Sequence, residues 1–99
     1  MSKPKNRLAS EPREARVAIF RQAFREDLAH WVKHDRKVAS RAFDLIEATI
    51  RSPFEGKGKP EPLKHLPGNP WSRRLTQEDR IVYRVYEDTV DFLQARYHY

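Results

Sequence analysis

The sequence has no cysteine, which excludes disulfides and thiolate metal sites and makes a reducing, cytoplasmic setting the simplest expectation. Nor does any apolar stretch approach the roughly 20 residues of a membrane span, and the segment from Met1 to Glu14 lacks the apolar centre of a signal peptide. No membrane partner is expected. Acidic residues are in the minority, 14 against 20 Lys and Arg, which leaves a net charge of +6 and a pI near 9.9. That balance favours polyanions such as RNA, DNA or an acidic protein segment, and charge alone does not choose among them. With 99 residues, the chain can build one compact core.

Glycine and proline are scarce except in one region. Between Ser52 and Pro70 lie all 3 glycines and most of the 7 prolines, so no long helix can form there. Lys57, Lys59 and Lys64 are therefore presented from an irregular loop rather than along a solvated helix. Residues 1–14 are polar, with Pro4 and Pro12, and read as a flexible extension to a domain over 15–99.

The remainder is periodic. Val17, Ile19 and Phe20 form a strand-like run, and Phe24, Leu28, Trp31 and Val32 follow at helical spacing. Asp35 stands at an N-cap position before a second apolar helical face of Val38, Ala42, Leu45, Ile46, Thr49 and Ile50, which Pro53 ends. A link of only Lys33, His34 and Asp35 predicts that the helices pair as an antiparallel hairpin. Strands are expected at Trp71 to Leu75, Arg80 to Tyr86 and Val90 to Tyr97, with a turn over Glu87 to Thr89. The class is α+β: an N-terminal strand and a helical hairpin packed on a twisted antiparallel sheet.

Cleaving an RNA phosphodiester without a metal requires a base for the 2′-hydroxyl, positive charge for the phosphorane and an acid for the leaving 5′-oxygen. Carboxylate, Arg or Lys, and His supply these. Glu61 lies in the Pro/Gly loop near Lys64 and His65; Arg73, Arg74 and Arg80 lie on neighbouring strands; His98 ends the last one. Arginine forks can hold two phosphate oxygens, which favours Arg80 or Arg74 for the transition state and leaves the lysines to dock the backbone. Singly these signals are weak. A Glu between prolines is usually a solvated loop residue, a C-terminal His usually frays, and His65 suits either a structural or an RNA-facing role. Arg84 reads as part of a solvated face, and Trp31, Trp71 and Tyr83 read as core.

The stretch Pro53-Phe54-Glu55-Gly56-Lys57-Gly58-Lys59-Pro60-Glu61-Pro62-Leu63-Lys64-His65 resembles the central motif of the YoeB/Txe branch of the RelE superfamily. Trp71-Ser72-Arg73-Arg74, Arg80-Ile81-Val82-Tyr83 and the ending Arg96-Tyr97-His98-Tyr99 are similar to that family too, in family order from about Arg16 onward. The resemblance implies a RelE-like fold and a ribosome-dependent mRNA endonuclease, the toxin of a type II toxin–antitoxin pair. It implies Glu61 as general base, Arg80 as stabiliser of the phosphorane, His98 as general acid and Tyr99 as a substrate-positioning residue. Lys64 and Arg74 match RNA-backbone positions, and the expected RNA-binding set is Lys57, Lys59, Lys64, His65, Arg73 and Arg74. No cofactor or metal is implied. Expected partners are mRNA in the ribosomal A site and a YefM/Phd-type antitoxin whose disordered segment wraps the basic site; a homodimer is common in the family. Two departures stand out: the N-terminal extension and the proline-rich run Leu66-Pro67-Gly68-Asn69-Pro70. Alternatives are a ParE-like poison of DNA gyrase, a branch that generally lacks the Glu and terminal His, and a binding-only A-site or antitoxin-corepressor protein.

Overall fold

The computed structural model describes residues 15–98; the expected extension over residues 1–14 and the terminal Tyr99 lie outside the described residues. The chain runs β1 (Val17–Phe20), α1 (Gln22–His34), α2 (Arg36–Arg51), β2 (Glu61–Pro62), β3 (Trp71–Arg74), β4 (Arg80–Val85) and β5 (Thr89–Tyr97). The five strands form one sheet in the order β1-β5-β4-β3-β2. The α+β class and the helices on one sheet face are as expected, with one correction. The sheet is mixed, because β1 pairs with β5 in parallel, Val17 opposite Thr89 and Phe20 opposite Phe92. A strand that precedes two helices can return beside a later strand in the same direction, a relation that no local pattern encodes.

The helices are joined by Asp35 alone, a tighter link than expected. Its backbone N–H donates to Trp31 O at 2.7 Å, closing α1, and its side chain accepts from Val38 N at 3.3 Å, opening α2. Along α2, Ala39, Ala42, Leu45, Ile46 and Thr49 are buried, one stripe of a 3.6-residue period. From α1 only Phe24 is fully buried, while Val32, read as part of the apolar face, is exposed. Phe24 joins Phe20 and Phe92 in an aromatic cluster with centroids 5.3–5.6 Å apart. Leu45, Ile46, Ile81, Tyr83, Val90 and Ala95 complete the core between helices and sheet. Among the described residues no helix is long and apolar enough to cross a membrane.

Two irregularities shape the sheet. From Val85↔Val90 to Arg80↔Tyr97 the β4–β5 register slips twice, so β5 carries extra residues and bends. Helix α1 satisfies the disturbed backbone: Asp27 accepts from Ala95 N at 2.8 Å, and the Trp31 indole donates to Ala95 O at 2.8 Å. Trp31 is thus packed on the core with its polar edge anchored in β5.

The other irregularity is the loop after α2, held by Arg73. Cross-strand from Ile81 on the helix-side face, Arg73 is fully buried and donates to Lys57 O at 2.8 Å, Glu55 O at 2.9 Å, Ser52 O, and Tyr83 Oη at 3.3 Å. The Tyr83 hydroxyl in turn donates to Pro53 O at 2.7 Å. Gly58, with φ +79°, lets the loop lie against β3: a Cβ there would be 3.1 Å from Arg73 Cβ, Arg74 O and Leu45 Cδ2.

Arg73→Lys should cost about 2–4 kcal/mol, because one ammonium cannot serve four acceptors and the remainder stay buried without a donor. Urea unfolding monitored by circular dichroism checks this, and an unchanged midpoint would remove Arg73 as the loop's anchor. Burial pushes the Tyr83 phenol above its ordinary value, outweighing the nearby Arg73. The folded state therefore holds that proton longer than the unfolded chain. Its contribution is complete below the unfolded value near 10.0 and is lost as pH rises through the folded one. Alkaline unfolding curves of wild type and Tyr83→Phe should show this limb weakened in the variant.

Candidate active site

The sheet face turned away from the helices carries the candidate chemistry. Cross-strand partners share a face, so Glu61, Ser72, Val82 and Gln94 form one row, and Arg74, Arg80 and Tyr97 the next. Val82 and Leu63 are buried but stand outside the helix-side core, consistent with this second face being covered in part by the loop after β2.

Arg80 is the centre of the group. Only 9% exposed, it donates from Nη1 to Ser72 Oγ at 3.0 Å and lies 3.4 Å from Glu61 Oε1. Burial keeps the guanidinium in one pose, while the Glu61 carboxylate, 43% exposed, remains open to solvent. Arg80 also lines a cleft of about 500 Å³ with Arg74, Gln77, Glu78 and His98. Glu61, Arg80 and His98, distant in sequence, are thus gathered around one arginine. Register, bulge and loop do the gathering.

His98 follows β5 and reaches Asp79, its Nε2 2.6 Å from Oδ1. Asp79 is itself held in the β3–β4 turn: Thr76 Oγ1 donates to Asp79 Oδ2 at 2.9 Å and accepts from Asp79 N at 2.8 Å. Neither Asp79 nor Ser72 was singled out from sequence. Thr76 three residues before Asp79 is a recognisable side-chain turn signal, but nothing local says that the far end of the chain meets it.

The expected RNA-binding residues divide. Lys57, Lys59, Lys64, His65 and Arg74 are all exposed, Arg74 beside the cleft with Nη1 3.3 Å from Gln77 O. His65 makes a 3.0 Å contact with Tyr97 Oη, which ties the loop to β5. Arg73 is a correction: buried against loop carbonyls on the other face, it is structural and not a surface contact for RNA. Arg84 also departs from its solvated-face reading, being half-buried with Nε lacking a partner and packed on Gly68, where a Cβ would lie 2.8 Å from Arg84 Cζ. Tyr99 lies outside the described residues. Among the described residues no three His, Asp or Glu side chains are grouped so as to hold a metal ion.

A family model described as the YoeB-like toxin of bacterial type II toxin–antitoxin systems matches residues 20–99. The chain belongs to this family. The match takes in both helices, the loop and the whole β2–β5 face on which Glu61, Arg80 and His98 stand. Toxin YoeB of Escherichia coli K12 is 47% identical over 74 residues, 75% of this chain and 88% of that protein. The YoeB dimer of Staphylococcus aureus superimposes with a TM-score of 0.78 at 32% identity, covering 86% of this chain and 99% of the other. The heterotetrameric YoeB–YefM toxin–antitoxin complex from the same organism gives 0.73 at 34% identity, covering 86% and 100%. As a member of the YoeB family, this chain is a type II toxin.

The site should be separable from the fold. Glu61 and His98 are the more exposed members of two separate pairs, with the buried Arg80 and Asp79. Those buried partners keep their hydrogen bonds to Ser72 and Thr76 when the exposed member is replaced, so each change should cost only on the order of 1 kcal/mol. Glu61→Gln and His98→Gln should therefore melt close to wild type, whereas Arg73→Lys should not. A large drop in melting temperature for either would make that residue structural.

Proposed function

We propose that this toxin is an endoribonuclease that cleaves mRNA in the ribosomal A site by acid–base chemistry. The observation that carries the reading is Arg80, whose guanidinium is 3.4 Å from the Glu61 carboxylate and faces the cleft lined by His98. Glu61 removes the 2′-hydroxyl proton, and the resulting oxyanion attacks the adjacent phosphorus. Arg80 faces the charge that builds on the phosphorane, held ready by Ser72 rather than reorganised during reaction. His98 protonates the 5′-oxygen as it leaves. In this scheme the three side chains supply base, charge and acid, and no metal is needed. Tyr99, by resemblance, positions the substrate. Lys57, Lys59, Lys64 and Arg74 hold the RNA backbone, with His65 beside it.

The relatives suggest the protein partners. The S. aureus relative is found with YefM and also as a dimer. A YefM-type antitoxin is the proposed partner here, its acidic segment answering the +6 net charge, and a homodimer is the proposed self-assembly. A cytoplasmic location follows from the ribosomal target. A gyrase poison would need neither Glu61 nor His98, and a binding-only protein would stall ribosomes without cutting RNA.

Glu61→Gln and His98→Gln should each reduce cleavage of mRNA on programmed ribosomes by about 10² to 10⁴ while the proteins stay folded. Cleavage at the wild-type rate by either variant would strike that residue from the mechanism. Ribosome stalling by the wild type with intact mRNA would favour the binding-only reading. The triple alanine variant of Lys57, Lys59 and Lys64 should bind ribosomes more weakly, with the log–log salt slope flattened by roughly 0.7 for each phosphate that is no longer neutralised. An unchanged slope would mean that these lysines face away from RNA.

A further inference from the structure

Asp79 belongs to no part of the scheme above, yet it makes a 2.6 Å polar contact to its proposed acid. The carboxylate is only 8% exposed, and it is anchored from several sides: Thr76 Oγ1 donates to Oδ2, Thr76 Oγ1 accepts from Asp79 N, and Asp79 O accepts from Leu75 N at 2.9 Å and Thr76 N at 3.0 Å. One oxygen remains for His98, at 2.6 Å. The histidine, by contrast, has a side chain 63% exposed and lies beyond the last strand, where a side chain ordinarily samples several rotamers. A rigid acceptor meets a ring with little else to fix it.

We infer that Asp79 is a positioning residue for His98, fixing the ring so that Nδ1 rather than Nε2 delivers the proton to the leaving 5′-oxygen. The inference rests on the proposed RNA cleavage. An ionised carboxylate has no hydrogen to donate, so the contact requires hydrogen on His98 Nε2. Nε2 is then engaged, and Nδ1 is the nitrogen left for the substrate. In the step, the 2′-oxygen to phosphorus bond forms as Glu61 takes the 2′-hydroxyl proton. The phosphorus to 5′-oxygen bond breaks as the Nδ1–H proton passes to that oxygen. The ring ends neutral, protonated on Nε2 and still donating to Asp79. This is the general arrangement of a proton-transfer group oriented by a third group, here with the third group locked by Thr76.

The test uses Asp79→Ala and the near-isosteric Asp79→Asn in the full chain, with two readouts. Single-turnover cleavage at saturating programmed ribosomes should fall about 10- to 100-fold, as for a misplaced catalytic group, while ribosome affinity stays at the wild-type value. Ring-nitrogen NMR, at a pH where the ring is neutral, should show His98 protonated on Nε2 in wild type and a mixture of both tautomers in Asp79→Ala. If Asp79→Ala does not fold, the Asp79→Asn rate decides. Wild-type rates in the folded variants, or a wild-type His98 showing hydrogen on Nδ1, would overturn the inference. Failure of the parent reading looks different: wild-type protein would then not cut RNA at all, and the tautomer readout would still decide whether Asp79 sets the ring.

Discussion

The buried guanidinium of Arg73 is the interaction on which the candidate site depends. Taking a charge out of water costs several kcal/mol unless its donors are satisfied, and here the carbonyls of Ser52, Glu55 and Lys57 and the Tyr83 hydroxyl satisfy them. The exchange is mutual. A loop with two glycines, bounded by Pro53 and Pro60, cannot close its own hydrogen bonds in a helix or ladder, so the arginine supplies donors to its carbonyls. The loop then leaves α2 in one conformation, and Arg74 N donates to Gly58 O at 2.6 Å to seat it on β3. Lys57 and Lys59 point outward from it, and it delivers Glu61 into register opposite Ser72. One cation inside thus sets the position of several charges outside.

The other half of the site comes from the bent end of β5. Without the register slips, the residue opposite Arg80 would be nearer the middle of that strand, and His98 would extend past the sheet. The bulged backbone is tolerated because Asp27 and Trp31 of α1 take up the N–H and C=O of Ala95. The helices therefore do more than cover the sheet, since one of them stabilises the bend that returns the chain's end to Arg80. Loop and strand both lead to the central arginine, so that Glu61 contacts Arg80 directly and His98 lines the cleft that Arg80 faces.

Much of the fold was legible because burial imposes a period. The stripe from Ala42 to Thr49, the Asp35 cap and the strand runs ending at Arg74, Val85 and Tyr97 all carry it. The parallel seat of β1 and the two-residue β2 were not legible, because they are set by tertiary pairing. Arg73 is the instructive exception. From its charge Arg73 was expected to bind RNA, whereas alternation from Trp71, had it been followed, points Arg73 to the core side and Arg74 to the other, which is the period that the fold obeys. Within the site, Glu61, Arg80 and His98 stood out by their chemistry and by resemblance, and periodicity alone would have left each of them as an ordinary polar residue. Asp79 had a local turn signal, but its partner lies 19 residues away and was reachable only through the fold.

The central claim is that this face performs transesterification through the RNA's own 2′-hydroxyl, with protein groups only moving protons and balancing charge. The most direct test replaces that one atom in the substrate. Ribosomes should be programmed with paired mRNAs identical except for a 2′-deoxy nucleotide at the mapped cleavage position in the A-site codon. The account predicts that the unmodified message is cut to give a 2′,3′-cyclic phosphate or its hydrolysis product and a 5′-hydroxyl, and that the deoxy message is bound but stays intact. Cleavage of the deoxy message at the same bond would contradict it, because no role would then remain for Glu61 as the base of the 2′-hydroxyl.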